Sequence, residues 1–321
     1  MNLSEKQCDK KYKDGLNDLK TGLFSFKFTK DYFSASSNFT EAAKGYRKLK
    51  KINKAIDAFK KAIECNKNQK DFLETACDYA EIGEMQIFDL ELIDEGVNSL
   101  KEASYNFYVA GRAQNAVKVY TDNANKLMLE KNYKKAEILL KLAYSDCMEH
   151  CDDEITAISL EDVANNLVEI YCSMNNFKEA IKILTDYIEL QKKTPKCSKY
   201  KLSKNMMREA ILRIIIGEAY MVDKIIEEML QHSYEDTNED IGDLRKLVNS
   251  LQKLNKKDFN FCCNCAFNLF QSSLLKALRD LYNQKEKDQG TQEDDNKQPV
   301  LLLPLNNDEE KKKDNGDDEY L

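Results

Sequence analysis

The sequence has no tryptophan, three prolines (Pro195, Pro299, Pro304), ten glycines and two histidines (His150, His232) in 321 residues. So few breakers argue against a parallel-sheet enzyme, and apolar residues recur instead at spacings of three and four, the period of helices buried along one side. None of the glycines falls into GxxxxGK or GxGxxG, so no phosphate-cradling loop is expected. Long apolar runs are also missing. No stretch approaches the ~20 residues of a membrane-spanning helix, and the opening MNLSEKQCDKKYKDG lacks the apolar centre of a signal peptide. Any membrane contact is therefore expected to be peripheral.

Chemistry-bearing clusters are equally sparse. The ten cysteines are scattered through apparent helix faces, as with Cys65, Cys77 and Cys172, which fits reduced thiols in a cytosolic protein. Cys147, His150 and Cys151 fall at i, i+3 and i+4 on one helix face, where zinc would still need a fourth ligand. The plainer reading is two small apolar residues at a helix end beside a histidine favoured by the dipole. Cys262, Cys263 and Cys265 do not converge on a helix and read as buried thiols. No metal, cofactor or catalytic group is expected. The run RKLKK (47–51) lacks interleaved aromatics, and with a sequence pI near 5.3 nucleic acid is not an expected partner.

What is present is a repeat. Small residues recur at Ala35, Ala76, Ala116 and Ala164, spaced 41, 40 and 48, and again at Ala55, Gly96, Ala136 and Ala180, spaced 41, 40 and 44. The two sets interleave, which means two helices per repeat. The second helices show it most plainly in KINKAIDAFKKAIECN (51–66), KNYKKAEILLKLAYSDC (131–147) and NNFKEAIKILTDYIEL (175–190). A small residue fits where helix axes cross closely, at ~8 to 10 Å. The expected fold is all-α: a tetratricopeptide-like helical-hairpin solenoid of period near 40 over residues 1–195. A C-terminal helical bundle follows over 196–284, then a disordered acidic tail over 285–321. Within the bundle, apolar stripes run through 213–230, 240–255 and 261–282, the last apolar on most of its surface and expected to seal the end as a cap.

Charge is unevenly placed on a chain of net charge −7. Residues 1–61 carry fifteen Lys or Arg against seven acids, whereas 285–321 carry six Lys against twelve. Opposite ends thus suit partners of opposite sign. Two short segments stand apart: GLFSFKF (22–28), flanked by Lys20, Lys27 and Lys30, and the apolar island PVLLLPL (299–305) inside the acidic tail.

The order of these features resembles the soluble NSF attachment proteins, and within them the gamma type. KTG (20–22) precedes an aromatic and lysine segment, then DYFSASSNFTEAAKGYRKLKKINKAIDAFKKAIECN (31–66) as first repeat, roughly 40-residue helical pairs, a helical bundle, an apolar strip and an acidic end containing Tyr. The resemblance covers essentially the whole chain. It implies a cytoplasmic adaptor, peripherally associated with membranes, that packs along an assembled SNARE bundle of the syntaxin type. Such an adaptor recruits the ATPase NSF for SNARE disassembly in vesicle fusion and intracellular transport, ER to Golgi included. Leu23, Phe24, Phe26 and Phe28 would then be an interfacial wedge, with Lys27 and Lys30 meeting anionic headgroups. Lys48, Lys50, Lys51, Lys60 and Lys61 would face the acidic SNARE bundle. Glu235, Asp236, Glu239, Asp240 and Asp243, with Asp317, Asp318, Glu319 and Leu321 of the tail, would meet NSF. The ending Tyr320-Leu321 departs from the alpha type, which has a leucine just before its last residue, so ATPase stimulation is a weaker expectation than binding.

Blander readings stand beside these. The aromatics could pack on the first repeat, and the lysines could be a solvated face. The chain could also be a generic tetratricopeptide-like scaffold of unknown partner, although lid-type subunits end in a winged-helix module that is missing here. An enzyme built on a helical solenoid would need clustered ligands or paired carboxylates in a pocket.

Overall fold

A computed structural model of the chain describes residues 4–21, 29–149, 154–194, 198–232, 237–267 and 270–292. Among them no strand occurs. The helices are α1 (Glu5–Asp18), α2 (Tyr32–Lys48), α3 (Ile52–Gln69), α4 (Phe72–Phe88), α5 (Ile93–Val109), α6 (Ala113–Leu129), α7 (Tyr133–Glu149), α8 (Glu154–Ser173), α9 (Phe177–Lys193), α10 (Lys199–Ile215), α11 (Val222–Gln231), α12 (Thr237–Gln252), α13 (Lys256–Phe261) and α14 (Ser272–Gln292). The fold is an all-α array of helical hairpins. It divides into two compact units, Met1–Ile170 and Tyr171–Leu321.

Six of the eight small residues read from sequence mark helix starts, whereas Ala76 is the fifth residue of α4 and Ala164 lies midway along α8. Ala35, Ala55, Gly96, Ala116, Ala136 and Ala180 are each the fourth residue of their helix, and each backbone N–H makes the first bond of the ladder, to Asp31, Lys51, Leu92, Arg112, Asn132 and Asn176. The seven alanines of the two sets are all buried. A side chain of that size lets the first turn press against its neighbour.

The turns repeat as well. At most of them a residue one or two past the helix adopts a positive φ near +60° and the next N–H reaches back five residues, which satisfies carbonyls that the helix end leaves free. The αL residues Lys50, Lys70, Gly111, Lys131, Asn175, Gly217 and Leu254 precede the bonds Lys51→Tyr46, Asp71→Asn66, Arg112→Phe107, Asn132→Leu127, Asn176→Tyr171, Glu218→Arg213 and Asn255→Ser250, all 2.8–2.9 Å.

Within the first unit, bonds skip along alternate helices. Thr40 of α2 donates to Asp78 of α4 (3.4 Å), Lys126 of α6 pairs with Glu84 of α4 (2.9 Å), and Asn166 of α8 donates to Asn125 of α6 (3.2 Å). The other layer is bridged by Ser104 of α5 to Asp146 of α7 (2.9 Å). Successive first helices therefore lie side by side, and so do successive second helices. The core between α1, α2, α3 and α4 is filled by Phe39, Phe59, Ile82 and Met85, each side chain worth roughly 1.5 to 3 kcal/mol of burial.

Several expectations about the second unit are corrected. The stripe over 213–230 is not one helix: α10 ends at Ile215, Gly217 turns the chain at φ +85°, and a 3-10 turn (Ala219–Met221) leads into α11. Residues 261–282 are likewise broken, because α13 runs into a π-helical turn (Cys262–Ala266) and α14 starts afresh at Ser272. Conversely, α14 continues to Gln292, beyond the polar boundary read at 284. Its surface supplies the reason: Gln284 donates to Asp288 (2.7 Å) one turn on, and Glu286 lies 3.8 Å from Lys256. The unit boundary falls inside α8, earlier than residue 195. By contacts α9 sides with α10, through Thr185 to Glu209 (3.1 Å) and Asn205 to Gln191 (3.0 Å).

Candidate partner-binding surfaces

The basic residues of the first repeat fall into two groups. Lys48, Lys50 and Lys51 cluster at the α2–α3 turn; Lys60 and Lys61 sit on α3, ~13 Å further on at 1.5 Å per residue. Lys50 is spent on Asp89 (3.3 Å), Lys51 lies 3.8 Å from Glu5, and Lys61 pairs with Glu64 (3.0 Å). Lys48 and Lys60 are exposed and carry no ion pair with any described residue. The acids that blunt this patch come from α3 (Glu64), from the end of α4 (Asp89) and from α1, whose Glu5 and Asp9 also hold Lys54 at 3.0 and 3.3 Å. Sequence reasoning counted those acids without seeing which lysines they meet.

Along the first-helix layer runs an open trough. One cavity of about 470 Å³ lies between α4, α5 and α6, and a second of about 350 Å³ lies between α6 and α8; Asp122 and Asn125 line both. Arg47 bridges Glu81 and Glu84 (2.8 Å to the latter) at one end. Burial works to raise the Glu84 carboxyl, but the hydrogen bonds from Lys126 and Arg47 outweigh it and hold the pKa below its ordinary value. Asn123 is buried with its Nδ2 on the Val119 carbonyl (2.7 Å) and its Oδ1 unpaired, a signal that no sequence pattern carries. The trough offers hydrogen-bond acceptors more than positive charge. Free cations for an acidic partner stand at Lys48 on the α2–α3 turn, at Lys60 on α3 and at Lys118 along the trough.

Beneath that layer, Asp78 is buried between α2, α3 and α4. It accepts from Asn66 (3.0 Å) and Thr40 (3.4 Å), and desolvation, reinforced by the charge of Glu74, pushes its pKa up to about 7.

The acidic set in the second unit divides sharply. Glu239 is exposed in the first turn of α12. Asp243 is half-buried, its pKa raised by burial first and then by Glu239 and Asp240. Asp240 corrects the expectation of an exposed acid: it is 2% exposed, accepts from Ser203 (2.8 Å) and pairs with Lys204 at 2.6 Å. A carboxylate saturated this way braces α12 against α10. Glu235 and Asp236 lie outside the described residues, as do Asp317, Asp318, Glu319 and Leu321. So do Leu23, Phe24, Phe26, Lys27 and Phe28, while Lys30 is described and exposed. Of the weighed metal cluster, Cys147 is buried with its thiol pushed up to about 12 by burial, and His150 and Cys151 lie outside the described residues. The described residues hold no group of three potential metal ligands, and none of their helices is long and apolar enough to cross a membrane.

A family model described as "Soluble NSF attachment protein, SNAP" matches residues 4–272. The chain belongs to the SNAP family. The description names attachment to NSF, and the match spans residues of both units. No curated protein matches it. A solved "Circular tandem repeat protein with novel repeat topology and enhanced subunit contact surfaces" is 13% identical over 81% of this chain, with a TM-score of 0.22, and the chain spans 59% of that protein's length.

Proposed function

We propose that this SNAP is of the gamma type and couples assembled SNARE bundles to the NSF ATPase, for SNARE disassembly in vesicle fusion and intracellular transport. The family match over residues 4–272 carries the reading. The α2–α3 turn and the α3 face beyond it support a SNARE contact, because Lys48 and Lys60 keep their charge free for an acidic bundle while Lys50, Lys51 and Lys61 share theirs with neighbouring acids. Such contacts steer association more than they hold it. On the NSF side the reading rests on Glu239, Asp243, Glu235, Asp236 and the tail acids Asp317, Asp318 and Glu319, with Leu321, and omits Asp240. GLFSFKF (22–28) with Lys30 is the membrane contact, and residues 293–321, beyond the end of α14, serve as an acidic coupling tail.

The test is capture of purified NSF, held in a non-hydrolysable ATP analogue, by this protein with and without a preassembled SNARE bundle. Capture that depends on the bundle is expected. Absence of capture in both conditions would leave a helical scaffold for another partner.

A further inference from the structure

The second unit carries a cationic cavity that the adaptor reading does not use. Arg245 and Asn249 stand one turn apart on the exposed side of α12, with Lys253 a further turn on just past its end, and together with Lys246, Asn255 and Asp258 they line an opening of about 390 Å³ beside α13. Lys246 has its ammonium 3.8 Å from the Phe261 ring centroid and 3.7 Å from Asp258. Arg245 and Lys253 are exposed and ion-paired to no described residue. Three cations face one carboxylate, in a chain whose net charge is −7. Such a pocket calls for an anionic occupant.

The chain beyond Gln292 supplies one. Residues 308–319 hold seven acids against three lysines, and the lysines form one run at 311–313, leaving Asp314, Asp317, Asp318 and Glu319 uninterrupted by positive charge. The helix that delivers this segment passes next to the cavity. In α14, Tyr282 donates to the Leu254 carbonyl (2.8 Å) and stacks on Phe259 (4.2 Å), and Glu286 lies 3.8 Å from Lys256, the neighbour of Asn255. From Glu286 to the end of α14 is ~9 Å at 1.5 Å per residue. A flexible chain of roughly 25 residues from there to Asp317, the apolar run 299–305 included, has a root-mean-square reach of ~27 Å. The return to the cavity is therefore within reach, and a tether of this length sets a local concentration near the millimolar range, where a weak pairing is still occupied.

We infer that residues 314–319 fold back onto the cavity formed by Arg245, Lys246 and Lys253. The contact is intramolecular and electrostatic. Resting on the adaptor reading, it has a regulatory sense: a docked tail withholds Asp317, Asp318 and Glu319 from NSF until an acidic competitor or NSF itself displaces it.

The test uses the full-length protein. A carbodiimide should join Lys246 or Lys253 to Asp314, Asp317, Asp318 or Glu319, with a yield independent of protein concentration and severalfold lower near ~1 M salt. In parallel, acetylation of Lys253 should speed up about threefold when the tail carries Asp314→Asn, Asp317→Asn, Asp318→Asn and Glu319→Gln, with Lys60 as the unchanged reference. Equal rates at Lys253 would overturn the contact. Cross-links that grow with protein concentration would place the tail on a second copy and overturn the intramolecular form. A protein that protects Lys253 yet never captures NSF would instead count against the adaptor reading alone.

Discussion

A Cβ placed on Gly96 would lie 3.0 Å from the carbonyl oxygen of Gly83 and 2.5 Å from Cγ1 of Ile87. The two glycines set how closely α4 and α5 approach, and neither position has room for a methyl group. Gly96→Ala is therefore expected to lower stability by roughly 1 to 3 kcal/mol, the usual cost of overpacking. Gly242 offers the contrast, since it lies in α12 with nothing within 4 Å of the new methyl. Gly242→Ala should gain up to ~1 kcal/mol from helix propensity. Urea denaturation of both variants checks this, and the same sign for both would refute the close-approach argument.

Lysine is a poor choice for the left-handed conformation, yet Lys131 holds φ +59° in the α6–α7 turn and is exposed. Glycine pays no Cβ penalty there, so Lys131→Gly should raise stability by about 1 kcal/mol. Lys131→Val, with branching at Cβ, should lower it. Melting temperatures of the pair would measure this, and a loss in the glycine variant would mean that the turn is held by the lysine side chain.

The hairpins were legible because their signal is local. A small residue fixes where two helices cross, and Ala35, Ala55, Ala136 and Ala180 sit where the spacing put them. The first helix was not singled out, since α1 buries little of its own length beyond Cys8 and Gly15 and its apolar period is faint. Fine breaks were missed where one residue decides: Gly217 ends α10 by its φ, within a stripe that is otherwise continuous. Site residues were hardest to read. Asp240 looks like any exposed acid in a polar turn, and only the packing of α10 reveals Lys204 and Ser203 beside it. Likewise, Lys51 reads as free until α1 brings Glu5 to it.

Asp78 makes a prediction about pH. Its carboxyl is harder to ionise folded than unfolded, with a pKa near 7 against an ordinary 3.8, so the native state binds the extra proton between those values. Stability therefore falls as pH rises from about 4 to about 7 and stays lower above, by an amount of the order of 4 kcal/mol. Asp78→Asn removes the titration, and Asn66 and Thr40 can turn to meet an amide. Relative to the parent, the variant should gain stability between pH 5 and pH 8. Denaturant midpoints of both proteins at the two pH values decide it; parallel curves would show that Asp78 ionises as freely in the folded state as in water.

The membrane contact can be separated from the SNARE contact. Phe24→Ser, Phe26→Ser and Phe28→Ser together should slow disassembly of membrane-anchored SNAREs and leave soluble complexes nearly unaffected, because the loss is interfacial burial at ~0.8 kcal/mol per CH₂ equivalent. Equal loss in both settings would make the segment structural.

Charge reversal at Lys48 of the α2–α3 turn and Lys60 of α3 tests whether free lysines or paired ones meet the bundle. Lys48 and Lys60 touch no acid among the described residues, so Lys48→Glu with Lys60→Glu should leave the melting temperature nearly unchanged. The association rate with an acidic SNARE bundle should fall about tenfold at low salt, and by much less as screening sets in near ~0.5 M. Lys50→Glu differs because it places a second acid against Asp89, now 3.3 Å from the ammonium, and should cost stability as well as rate. Stopped-flow binding over a salt series distinguishes the two. A double reversal that leaves the rate unchanged would move the SNARE contact away from this turn and toward the acceptor-lined trough between α4, α6 and α8.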